Sequence, residues 1–177
     1  MLYFAKGSET EVITPAQLKE YIYSTLEKLG TKNKVLAVPP DFTRYHSMAG
    51  IITEMTYEYY GAALTDVLPA TGTHFPVSEE ERKIMFGSVP AELFRPHKWK
   101  EDLTTLGEVP AEYVREVSEG RADFSWPAQV NNLLAQGGHD LILSIGQVVP
   151  HEVIGMANYN KNIFVGTGGK GGIHKSH

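Results

Sequence analysis

Three short stretches carry the side chains that could do chemistry: DFTR at residues 41–44, ATGTH at residues 70–74 and VPH at residues 149–151. They bring together Asp41, Thr43 and Arg44, then Thr71, Thr73 and His74, then His151, with Gln147 close by. An arginine offers a planar fork for a carboxylate or phosphate, and an imidazole titrates near neutral pH. One arginine between two histidines therefore suits proton transfer on a bound acid. Taken singly, each group has a plainer reading. Asp-x-Thr-Arg is a common turn with a surface ion pair, and a lone loop histidine is usually solvated. The functional reading rests on the three stretches sharing one place.

That requires an architecture in which loops far apart in sequence meet. A parallel α/β sheet provides it, because ligands bind at the carboxyl ends of its strands. Residues 14–30 read as a helix, with Thr14 as N-cap, Pro15 in the first turn, Gln17 completing a capping box and Gly30 as the stop. The apolar run at residues 34–40 reads as a buried strand, DFTRYH as a loop, and residues 47–61 as a helix capped by Ser47. The cycle repeats with a strand over residues 62–70, the His74 loop and a helix over residues 77–87, where Ser78 and Glu81 form a second capping box. Small residues Ala70, Thr71 and Gly72 let the chain turn tightly before His74. Thr71 and Thr73 suit either phosphate contact or capping of the next helix.

Residues 88–126 are irregular apart from a short helix over residues 109–120. Beyond them the pattern predicts a helix over residues 127–138, a strand over 139–146, a loop over 147–155 and a further strand over 160–166. The expected fold class is α/β: a Rossmann-like, mostly parallel sheet with helices on both faces. A length of 177 residues suits a single α/β domain, and the absence of a capping element after the last strand suggests the N-terminal part of a longer, two-domain protein.

Composition narrows the partners. Sixteen basic residues are outnumbered by twenty-one acidic ones, giving a net charge of -5, which argues against nucleic acid or an anionic membrane and for a small molecule. With no cysteine, any metal must be held by histidine, carboxylates or a cofactor's own atoms. Neither a signal peptide nor a run long enough to span a bilayer is present, so a cytoplasmic location is the default expectation.

The glycine-rich GTGGKG at residues 166–171 matches G-x-G-x-x-G, the pattern of a dinucleotide-binding turn. No acidic residue follows for a ribose, and Lys170 is followed by Gly171 rather than Ser or Thr as a phosphate-binding Walker loop requires, so a flexible turn is the expectation. His174 and His177 form an H-x-x-H pair without a third ligand in view.

Read in order, DFTR, ATGTH and G-x-x-V-P-H-x-x-x-G, followed by Lys161 and His177, resemble the nickel-pincer lactate racemase family. The resemblance implies that His74 and His151 are paired acid/base groups, that Arg44 binds substrate, and that Asp41, Thr43 and Thr71 lie near the cofactor. It implies further that Lys161, ten residues after His151, holds a nickel-pincer nucleotide through a thioamide and that His177, twenty-six after it, ligates nickel. The expected activity is racemisation or epimerisation of a 2-hydroxy acid by reversible hydride transfer. A C-terminal domain would complete the site, the chain alone would be inactive, and a homo-oligomer is compatible with these features. Two departures stand out: DFTRYH replaces the usual Asp-His-Thr-Arg-Pro, and ANYNK, residues 157–161, replaces a Ser-Gly-Gly-Arg-Lys segment. The alternatives are a non-catalytic α/β module that binds phosphate or a nucleotide at the same loops, and an NAD-binding Rossmann domain built on GTGGKG.

Overall fold

Residues Val35–Val38 (β1) are fully buried, as a central parallel strand must be, and they organise the structure. The computed structural model describes residues 1–176. β1 pairs in parallel with Leu64–Val67 (β2) on one side and Leu141–Ser144 (β5) on the other, giving the order β2-β1-β5. Alternate β1 side chains face opposite ways. Val35 and Ala37 pack with Leu64, Val67, Met85 and Phe86. Leu36 and Val38 pack with Leu68, Ala70, Leu133, Leu134 and Ile163.

The first face is covered by helices Ala49–Tyr60 (α2) and Glu79–Phe86 (α3), and Pro15–Leu29 (α1) lies against α2. Both expected capping boxes are present, at Thr14/Gln17 and Ser78/Glu81. The cap of α2 is different. Met48, at φ 63°, is the boundary residue, and Ser47 lends its hydroxyl to the Ala49 N–H from one position earlier, because the DFTRYH segment winds into a 3-10 turn over Phe42–Ser47.

The second half departs more from expectation. The segment 88–126 holds a strand, Leu103–Val109 (β3), ahead of the anticipated short helix Ala111–Val117 (α4). The predicted helix at 127–138 is instead strand Trp126–Asn131 (β4) followed by one helical turn, Asn132–Gln136 (α5). β3 and β4 form an antiparallel ladder, and that pairing overrides the helical pattern. The predicted loop at 147–155 contains a miniature hairpin, Pro150–His151 (β6) with Gly155–Met156 (β7).

The expected strand at 160–166 is a π-helical turn over Asn162–Gly166, and the expected flexible turn runs into helix Lys170–Ser176 (α6). Close packing explains both. A Cβ on Gly166 would meet Ala70 Cβ at 2.7 Å, one on Gly168 would meet Phe164 O at 2.0 Å, and one on Gly172 would meet Trp126 Cζ2 at 2.9 Å. The glycines admit neighbouring chain rather than a dinucleotide, and without a strand before the motif the strand–turn–helix context of a Rossmann site is missing. Among the described residues no helix is long and apolar enough to cross a membrane.

Candidate active site

The sheet brings the first two stretches side by side. Ala70 N–H donates to Pro39 O at 2.7 Å and Pro40 bridges Ala70, so the chain leaves β1 and β2 along neighbouring tracks. Asp41 then caps the 3-10 turn: its Oδ1 accepts from Thr43 N–H at 3.1 Å and from the Thr43 hydroxyl at 2.5 Å. The second track turns at Gly72, whose φ of 56° suits glycine and whose N–H donates to Gly166 O at 2.8 Å. His74 N–H closes the turn on Thr71 O at 2.9 Å. The outcome is a direct contact across 33 residues, His74 Nδ1 to Asp41 Oδ2 at 2.5 Å.

The third stretch arrives from β5. Asn162, almost wholly buried, donates from Nδ2 to Val38 O at 2.8 Å and to Ser144 Oγ at 3.1 Å, tying the π turn to the ends of β1 and β5. His151 sits beside the turn of the hairpin, paired with Gly155, with its side chain 8% exposed. Its Nδ1 accepts from Val153 N–H at 3.2 Å and Ile154 N–H at 3.5 Å, with Glu152 Oε2 3.8 Å from the same atom.

All three loops and the π turn line one cleft of about 310 Å³. Asp41, Thr43, Arg44, Thr71, His74, His151 and Lys161 all line it. His177 lies outside the described residues, and among those described no cluster of three or more metal-ligating side chains occurs. Glu152 and Asn158 also line the cleft and were not singled out from sequence. Adjacency to His151 was the one available signal for Glu152.

The charges in the cleft are unevenly partnered. Arg44 makes no ion pair among the described residues. Burial first, and then the Arg44 guanidinium, hold the Lys161 ammonium below its usual range, with Asp41 and Glu152 partly offsetting them. A lysine so placed carries more neutral, nucleophilic amine at neutral pH. Glu152 is held below the usual carboxylate range by its own backbone N–H, and then by His151, Arg44 and Lys161. Thr71 is buried, and its hydroxyl has no hydrogen-bond partner among the described residues. A buried polar atom left unpaired at a cleft wall is a place for a ligand to bond.

Among curated protein sequences none matches the chain. Solved structures do. A protein from Thermotoga maritima superposes with a TM-score of 0.79 at 30% identity, covering 93% of this chain and 40% of that one. The lactate racemase apoprotein from Thermoanaerobacterium thermosaccharolyticum superposes with a TM-score of 0.65 at 19% identity, over 89% of this chain and 37% of that one, a likeness of fold. The chain thus spans about 40% of the length of these structures. The lactate racemase N-terminal domain family matches over residues 4–177, and with a match that covers nearly the whole sequence, this chain belongs to it.

Proposed function

We propose that this chain carries the acid/base half of a 2-hydroxy-acid racemase or epimerase. The observation that carries the reading is convergence: two histidines on separate loops, an arginine without an ion pair among the described residues and a lysine of lowered pKa line one cleft. Arg44 would hold the substrate carboxylate bidentately, keeping the carbon that bears the hydroxyl in place between the histidines. One histidine would accept the hydroxyl proton and the other would return one on the opposite face, so inversion needs both.

The nickel-pincer nucleotide is proposed on the fit of the residues. Lys161 has the lowered pKa that an amine needs to form an amide-type link, and the unpaired Thr71 hydroxyl would bond to the nucleotide part. When bound, the cofactor supplies a reversible acceptor for hydride. The rest of the protein would close the cleft and add to substrate binding, so the chain by itself would be inactive. The proposed setting is a cytoplasmic enzyme acting on a small hydroxy acid.

The test uses the full-length gene product co-expressed with the cofactor-synthesis enzymes. Intact mass should show an adduct that disappears in Lys161→Ala, together with bound nickel, and chiral chromatography should show interconversion of one or more 2-hydroxy acids. His74→Gln and His151→Gln should each slow that interconversion by about a hundred- to ten-thousand-fold. A folded protein with neither adduct nor nickel would overturn the cofactor assignment.

A further inference from the structure

The two histidines are anchored through the same ring nitrogen by groups of opposite hydrogen-bonding character. At His74 the partner of Nδ1 is the Asp41 carboxylate, 2.5 Å away, and a carboxylate only accepts. Nδ1 must therefore carry the proton there, which in a neutral ring leaves the lone pair on Nε2. At His151, Nδ1 accepts from the backbone N–H groups of Val153 and Ile154, which only donate, while the Glu152 carboxylate, 3.8 Å from the same atom, lies beyond hydrogen-bond distance. Here Nδ1 presents its lone pair, and a neutral ring must carry its proton on Nε2.

We infer that Asp41 and the hairpin backbone hold the two rings in opposite tautomers, so that the resting site contains one general base, His74, and one hydrogen-bond donor, His151. Asp41 is the positioning residue of this arrangement. Its Oδ1 is saturated by Thr43, its Oδ2 is turned to His74, and its side chain is only 11% exposed, so the carboxylate is fixed by the loop it caps. His74 lines the cleft with its side chain 61% exposed, as a ring that must reach a substrate hydroxyl should be.

The catalytic consequence rests on the function proposed above. In the first step the substrate O–H bond breaks, an Nε2–H bond forms on His74, and the resulting imidazolium faces the Asp41 carboxylate. The freed oxygen pair would become the second bond of the carbonyl, the cofactor, when bound, supplying the acceptor for the hydride. His151 bears its proton on Nε2, the ring nitrogen not engaged by the hairpin backbone. For His151 to serve as base in its turn, its proton must move to Nδ1 and the bonds from Val153 and Ile154 must open. Reversal of direction is thereby tied to residues 151–154, whereas the His74 side is ready as it stands.

The tautomers can be read without turnover, by heteronuclear NMR correlation of the histidine ring nitrogens in the full-length, cofactor-free protein at a pH where the rings are neutral. His74→Gln and His151→Gln each remove one set of signals and so assign them. The expected result is a proton on Nδ1 of His74 and on Nε2 of His151. The same tautomer in both rings, or the reverse pair, would overturn the inference.

Asp41→Asn gives a sharper test that keeps the shape. The Thr43 N–H needs an acceptor, so the amide oxygen must stay where Oδ1 is, and the amide NH₂ then faces His74 Nδ1 as a donor. The His74 proton should move to Nε2 while the His151 signals stay unchanged. In the loaded enzyme interconversion should fall by about a hundredfold or more, the outcome known for the isosteric replacement in a serine-protease triad. If Asp41→Asn leaves the His74 tautomer as it was, Asp41 does not set it. If the tautomers are as expected but no hydroxy acid is interconverted, the tautomer assignment stands and the racemase reading falls.

Discussion

The loop that carries His74 and the hairpin that carries His151 reach the same cleft by different physical routes. The first springs from buried strands, turns on Gly72 and is locked from outside by a side chain, Asp41. The second is a pair of two-residue strands with Val148, Val153 and Met156 exposed, and its histidine is held by its own next residues. A residue fixed by distant, buried partners keeps its place unless the fold opens. One fixed by neighbours in its own turn moves when that turn moves. The contrast predicts a rigid His74 side and a more adjustable His151 hairpin.

Glycine packing offers the largest contrast. In the first half, a Cβ on Gly50 would meet Met85 O at 1.9 Å, forcing α2 away from the end of α3. In the second, a Cβ on Gly166 would meet Ala70 Cβ at 2.7 Å, where the π turn rests on the ATGTH loop. Gly50→Ala should cost about 3 kcal/mol and Gly166→Ala about 1–2 kcal/mol by urea unfolding. Only Gly166→Ala should also disturb the cleft, since Gly72 N–H bonds the Gly166 carbonyl. A Gly166→Ala protein with unchanged stability would show that the π turn yields freely and is not the floor of the site.

How much of this was legible follows the same division. The VLAV strand, both capping boxes and the strand-end position of His74 were readable, because buried runs and cap residues report local physics. Residues 127–138 misled because their apolar spacing and Pro127 fit a helix start, while the ladder to β3 decided the outcome. The GTGGKG stretch, residues 166–171, read as a flexible turn, yet the chain from Lys170 onward is helical and its glycines pack close against Trp126, Pro127 and Gln129. Of the site, residue types were visible and the convergence was inferable from strand order. The Asp41–His74 contact and the Thr71 hydroxyl left unpaired required the structure.

A smaller effect tests what supports the glycine segment from below. His97 is buried, its Nε2 bonded to Gly168 O at 2.9 Å and its Nδ1 to Asn131 Nδ2 at 3.2 Å. Burial holds its pKa below the usual 6.5, against the opposing pull of the Gly168 carbonyl and Asp102. The unfolded chain therefore takes a proton that the folded one resists. Stability from this group is intact above the unfolded value of 6.5 and is lost as pH falls from there toward the folded value. Thermal unfolding from about pH 8 to about pH 5 should show a downward slope that His97→Gln flattens. An unchanged slope would mean that another group carries the acid sensitivity.

The smallest effect concerns ANYNK, where the family resemblance leads one to expect two glycines. Asn158 and Tyr159 both adopt positive φ, 54° and 55°, the conformation that glycine takes without strain. Asparagine tolerates it, and Asn158 packs on Gly146, where a Cβ would meet its side chain at 2.9 Å. Tyr159 gains little in return, being 69% exposed. Tyr159→Gly should therefore stabilise by about 0.5–1 kcal/mol, the relieved left-handed strain outweighing the added entropy of the unfolded chain. Asn158→Gly should leave stability nearly level while removing a side chain from the cleft wall beside Lys161. If Tyr159→Gly instead destabilises, the tyrosine ring is holding the turn, and the His151 side of the cleft is less adjustable than its exposed hairpin suggests.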